Sequence, residues 1–89
     1  MLDMNKIDLR IKITDTNKMT LECLDAEQNP YRYAYYIYKD DEIIAKFSYT
    51  ENNKINYWLS ESGVYSVRVF ISDPQTEEKK SKNSEKLVF

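Results

Sequence analysis

The sequence predicts an all-β fold, an antiparallel β-sandwich of about seven short strands, and three observations carry that expectation. Apolar residues recur with a period of two along most of the chain, and no stretch shows the 3.6-residue period of an amphipathic helix. The alternating segments are short and spaced near-regularly, each bounded by turn-forming residues. The composition is that of a folded soluble domain: 42% of the 89 residues are apolar and 31% charged, with one Gly and two Pro. A chain of this length supports one modest core, so residues 1–89 are expected to form a single domain.

The strands follow in order. Ile7, Leu9, Ile11 and Ile13 alternate with Lys6, Asp8, Arg10 and Lys12, which gives a first strand with a charged outer face. Asp15 and Asn17 supply turn chemistry. KMTLECL then returns as a second strand that buries Met19, Leu21 and Cys23, and the two should form a hairpin. DAEQNP breaks the chain, because Pro30 has no N–H to give to a ladder. Residues 31–38, YRYAYYIY, hold five of the eight tyrosines and make the third strand. KDDE turns into IIAKFSYT, where Ala45, Phe47 and Tyr49 alternate with Lys46 and Ser48. After ENNK, the segment INYWL places Ile55, Tyr57 and Leu59 on one side and Trp58 on the other. VYSVRVFISD is the longest and clearest strand, with Tyr65, Val67, Val69 and Ile71 on one face and Ser66 and Arg68 on the other. DPQTEEKKSKNSE reads as a mobile polar loop, and KLVF closes the sandwich with Leu87 and Phe89 on one face.

The composition and motifs exclude most chemistry. The chain has no His, which removes the usual general base and the Ser-His-Asp and Cys-His arrangements. Cys23 is alone, so neither an internal disulfide nor a cysteine zinc site can form, and its apolar neighbours mark it as a buried structural thiol. Asp40, Asp41 and Glu42 sit at a turn without ligand-spaced partners, and no carboxylate pair flanks a cleft as glycoside hydrolysis requires. No catalytic, cofactor-binding or metal-binding residue is expected, and the chain does not read as an enzyme. Net charge is −2 and Lys79, Lys80, Lys82 and Lys86 are interleaved with Glu77, Glu78 and Glu85, so no nucleic-acid footprint is expected. MLDMNKIDLR lacks the apolar region of a secretory leader, and no apolar run approaches membrane-spanning length, so membrane insertion is not expected.

Two aromatic arrangements stand out. Along the third strand, Tyr31, Tyr33, Tyr35 and Ile37 share one face and Arg32, Ala34, Tyr36 and Tyr38 the other. A strand apolar on both faces is central or covered, and the pattern alone leaves open which face is core. Trp58 points away from Ile55, Tyr57 and Leu59, where it could stack beside Tyr36 or Tyr38. Cross-strand packing alone would account for these rings; if the outer face is used instead, Tyr36, Tyr38 and Trp58, rimmed by Arg32, Asn56 and Arg68, form its partner or glycan surface. The second arrangement is structural. Leu59 precedes Tyr65 by six residues with Gly63 at the bend between them, the spacing of the tyrosine corner of Greek-key sandwiches.

The aromatic strand, YKDDE at its turn, Tyr49, and SGVYSVRVF together resemble the triple-tyrosine-motif domains of bacteria, over residues 31–73. That resemblance implies an immunoglobulin-like or fibronectin-type-III-like sandwich, and an accessory module without catalytic residues. It also implies a larger bacterial parent, in which the domain positions or docks a neighbouring domain or protein partner, and it favours the cell surface for that parent. The alternatives are a carbohydrate-binding module, or a sensory ectodomain module of a two-component system; a homodimer is compatible with each. Asp stands in the KDDE turn where Gly is commoner, which leaves its turn type open, although Asp40 or Asp41 can adopt the left-handed region.

Overall fold

In the computed structural model, which describes residues 2–89, a 3₁₀ turn at Met4–Lys6 is followed by eight strands. They are β1 (Ile7–Thr14), β2 (Lys18–Asp25), β3 (Arg32–Lys39), β4 (Glu42–Thr50), β5 (Lys54–Trp58), β6 (Val64–Ser72), β7 (Lys79–Asn83) and β8 (Leu87–Val88). Two antiparallel sheets result. The smaller has the order β1-β2-β5; the larger has the order β4-β3-β6-β7, with β8 pairing β6 beyond the end of β7. Since β3 occupies the opposite edge of β6, β7 and β8 are two pieces of one final strand. The break falls at Ser84, whose hydroxyl accepts from the Val67 N–H at 2.9 Å in place of a ladder carbonyl. Counting the broken strand once gives the seven-stranded sandwich that the alternation predicts.

The inner faces follow from the period of two. From the smaller sheet come Ile7, Met19, Leu21 and Cys23; from the larger come Tyr33, Tyr35, Ile37, Val67, Val69 and Ile71. The core face of β3 is thus the one bearing Tyr31, Tyr33, Tyr35 and Ile37. Phenols suit that position because the ring packs while the hydroxyl reaches a backbone acceptor at the sandwich rim. Tyr35 does so by donating to the Asn52 carbonyl at 2.7 Å. Burial raises the Tyr35 phenol above its ordinary range, and burial pushes Tyr33 up to about 12.

The turns compensate for a chain with one glycine. In KDDE both Asp40 (φ 50°) and Asp41 (φ 67°) are left-handed, the primed hairpin turn that matches strand twist. Asp15 (φ 50°) and Thr16 (φ 70°) do the same between β1 and β2. Asp tolerates this conformation; for the β-branched Thr16 it is strained.

Two expectations need correction. DPQTEEKKSKNSE is not a loop throughout, because Lys79–Asn83 pairs with β6 from Ser72↔Lys79 to Arg68↔Asn83. Its charge pattern conceals a strand: the Lys80 and Lys82 amines donate to the Leu2 and Ile7 carbonyls, each at 2.9 Å, so their stems can cover the edge of the core. The simple alternation expected of IIAKFSYT also fails. Register shifts between Tyr33 and Tyr35 and between Ile37 and Tyr38 place bulges in β4, and Tyr49 turns away from the face of Ala45 and Phe47.

Candidate functional site

The corner is built as its spacing suggests. The Tyr65 hydroxyl donates to the Glu61 carbonyl at 2.6 Å, and Leu59 lies buried in the core. Gly63 exchanges two backbone hydrogen bonds with Phe89 (3.0 and 2.9 Å). A β-carbon there would meet Lys39 Cε at 3.0 Å and the Asp40 carboxylate at 3.2 Å, so a larger residue would have to push these two side-chain ends slightly aside. Asp40 completes the junction by accepting from the Val64 N–H at 2.9 Å.

Trp58 corrects the expected aromatic surface. It lies on the outer side of the smaller sheet, opposite Lys18, whose ammonium stands 5.8 Å from the indole centroid. Asn56 is on the same sheet, accepting a hydrogen bond from the Thr20 hydroxyl at 2.8 Å. Tyr36, Tyr38, Arg32 and Arg68 occupy the outer side of the other sheet, across the whole sandwich. Trp58 and Tyr36 each face outward, yet sequence alternation says nothing about which sheet a strand joins. Trp58 and Tyr36 therefore form no common patch.

On the outer side of the larger sheet the register brings Arg32 opposite Ser72, Ala34 opposite Phe70, Tyr36 between Arg68 and Lys46, and Tyr38 between Ser66 and Ile43. Tyr36 and Phe70 meet edge-on with centroids 4.6 Å apart. Cations stand over the rings: Lys46 over Tyr36 at 5.1 Å, Arg68 over Phe70 at 5.4 Å, and Lys79 over Tyr49 at 5.7 Å. Arg68 is further held by the Ser81 hydroxyl, which accepts from Nε at 3.3 Å and Nη2 at 2.9 Å. Burial, with the Tyr36 phenol beside it, raises the Tyr49 hydroxyl above its ordinary value. The patch stays open to solvent: Ile43 is 45% exposed and Tyr49 38%. A hollow of about 360 Å³ opens among Tyr36, Tyr49 and Phe70, with Ala34 as its small residue and Lys46 and Ser48 beside it.

Phe70, Tyr49 and Lys46 are not among the residues that the sequence places on the partner surface. Phe70 was legible, since VRVF puts it two residues beyond Arg68 on the same face. Tyr49 was not, because the bulge that redirects it has no glycine to announce it.

Burial, as the largest cause, pushes the Cys23 thiol up to about 12, while the Tyr35 hydroxyl nearby acts in the opposite direction. No three His, Cys, Asp or Glu residues gather as a metal-ligand group among the described residues.

Two antiparallel sheets of this order, closed by a tyrosine corner, define a fibronectin-type-III-like β-sandwich. The chain superposes on part of the crystal structure of the rat CD45 extracellular region, domains d3–d4, with a TM-score of 0.61 and 14% sequence identity. The match covers 88% of this chain and 48% of that one, so the chain spans about half of the length of the structure it resembles. No protein-family model matches the chain, and no curated protein does either.

Proposed function

We propose that this chain is a non-catalytic accessory domain of a larger bacterial protein, of the triple-tyrosine-motif class, and that it docks a neighbouring domain or partner protein. The docking surface is the outer side of the larger sheet. One observation carries the reading: Tyr36, Tyr38, Tyr49, Phe70 and Ile43 form a continuous, partly open aromatic face on a sheet whose other side fills the core. Isolated soluble domains seldom leave such a patch uncovered without a use for it. Burial of the one thiol and the absence of histidine agree with a role other than catalysis. The carbohydrate alternative loses its main support, because a Trp–Tyr clamp is not available when Trp58 lies on the opposite sheet.

The test is photo-cross-linking in the full-length parent protein. A benzophenone amino acid at position 38 or 49 should capture a protein neighbour, whereas one at position 58 should not. Capture from position 58 alone, or from none of the three, would refute the assignment of this face.

A further inference from the structure

The outer side of the larger sheet has a second property that names the kind of partner. The chain carries 15 Asp and Glu against 13 Lys and Arg, yet the outward positions of β3, β4, β6 and β7 hold Arg32, Lys46, Arg68 and Lys79 and no carboxylate. Arg32 has Glu51 at 3.9 Å beyond the end of β4, while Lys46, Arg68 and Lys79 take part in no salt bridge among the described residues. An excess of negative charge in the whole chain is thus excluded from this one face. Each of these three unpaired cations stands over an aromatic ring, which fixes its position without neutralising it.

From this charge segregation, and resting on the docking role proposed above, we infer that the face binds an acidic protein segment that seats one large apolar side chain in the hollow beside Ala34. Charge complementarity supplies the acidic requirement: carboxylates of the partner meet Lys46, Arg68 and Lys79, and like-charged partners are repelled. The hollow supplies the anchor. Ala34 is 6% exposed between larger neighbours, and the space of about 360 Å³ above it has aromatic walls. A single buried apolar anchor with charged contacts around it is how compact interfaces concentrate their binding energy. The same geometry disfavours a sugar, which needs an open ring face, since Tyr36, Tyr49 and Phe70 each have a cation over the ring.

Selection from a random 12-residue phage-displayed peptide library tests the inference on the protein as it stands. Enriched peptides should carry Asp or Glu on both sides of a Trp, Phe or Leu. Their affinity should fall at least about tenfold with Ala34→Leu, which fills the hollow, and with Lys46→Glu or Arg68→Glu. Trp58→Ala should leave it unchanged. Enrichment of neutral or basic peptides that are still lost in Ala34→Leu would overturn the acidic partner and leave docking on this face standing. Peptides insensitive to Ala34→Leu, or no enrichment at all, would overturn both. Tighter binding to polygalacturonate or to a dT15 oligonucleotide than to any selected peptide would overturn the choice of a protein partner.

Discussion

The two sheets share one core and present opposite outer surfaces. On the smaller sheet, Asp8, Arg10, Lys12, Lys18, Glu22 and Lys54 mix both charges across the outward positions, with Trp58 60% exposed beside Lys18. On the larger sheet the charged outward positions are all cationic, set among aromatic and small side chains, and Lys46, Arg68 and Lys79 lie over rings. Both surfaces come from the same period of two, so alternation decides which side chains point inward and leaves the outer chemistry free to diverge. The smaller sheet carries an ordinary solvated surface; the larger one carries an organised surface whose apolar area stays partly open.

The largest effects should come from the shared core, where the sheets are equivalent. Leu21→Ala in the smaller sheet and Ile37→Ala in the larger should each destabilise by about 2–5 kcal/mol, because both side chains are fully buried. Denaturant midpoints would check this, and a loss well below about 2 kcal/mol at either position would mean that its side chain is not part of the shared core.

Next is pH. Cys23 lies in the smaller sheet and Tyr33 in the larger, and burial raises both folded values to about 12 from ordinary values of 9.0 and 10.0. Folding therefore favours their neutral forms. The stability they contribute is intact below pH 9.0 and is lost as pH climbs toward 12. Between those limits each group that ionises only in the unfolded chain removes about 1.4 kcal/mol per pH unit. Melting temperatures should be flat near neutrality and fall steeply above pH 9, with a shallower fall in Cys23→Ala.

Tyr65→Phe should cost about 1 kcal/mol or somewhat more, by leaving the Glu61 carbonyl without its donor. Equal midpoints for the two proteins would show that the corner hydroxyl is dispensable.

These outcomes bear on what could be read before the structure. Alternation places Ile7 to Ile13, Met19 to Cys23 and Tyr65 to Ile71 on inner faces because each of these segments is apolar mainly on one side. The third strand is apolar on both sides, so its core face is decided by pairing with β6 and β4, which no local pattern encodes. Trp58 faces outward as its neighbours require, but β5 joins β2 rather than β3, and that long-range choice separates it from Tyr36. The lysines of β7 look like solvated charge because a snorkelling stem and an exposed one have the same sequence. The bulges of β4 are hidden for a related reason: no residue type marks them, and they show only in the pairing register.

Two further truncations should separate the outer faces. Tyr36→Ala removes the edge contact with Phe70 and the Lys46 contact, and should cost about 1–2 kcal/mol. Trp58→Ala should stay within about 0.5 kcal/mol, as a truncation at an open surface. Equal losses would erase the difference between the faces.

The central claim is that docking belongs to the larger sheet alone. Hydroxyl-radical footprinting read by mass spectrometry, on the isolated domain and on the full-length parent, tests it without any substitution. The account predicts that Tyr38, Tyr49 and Phe70 lose reactivity in the parent while Trp58 keeps the reactivity it has in isolation. Protection of Trp58 with unchanged reactivity at the three larger-sheet residues would contradict it.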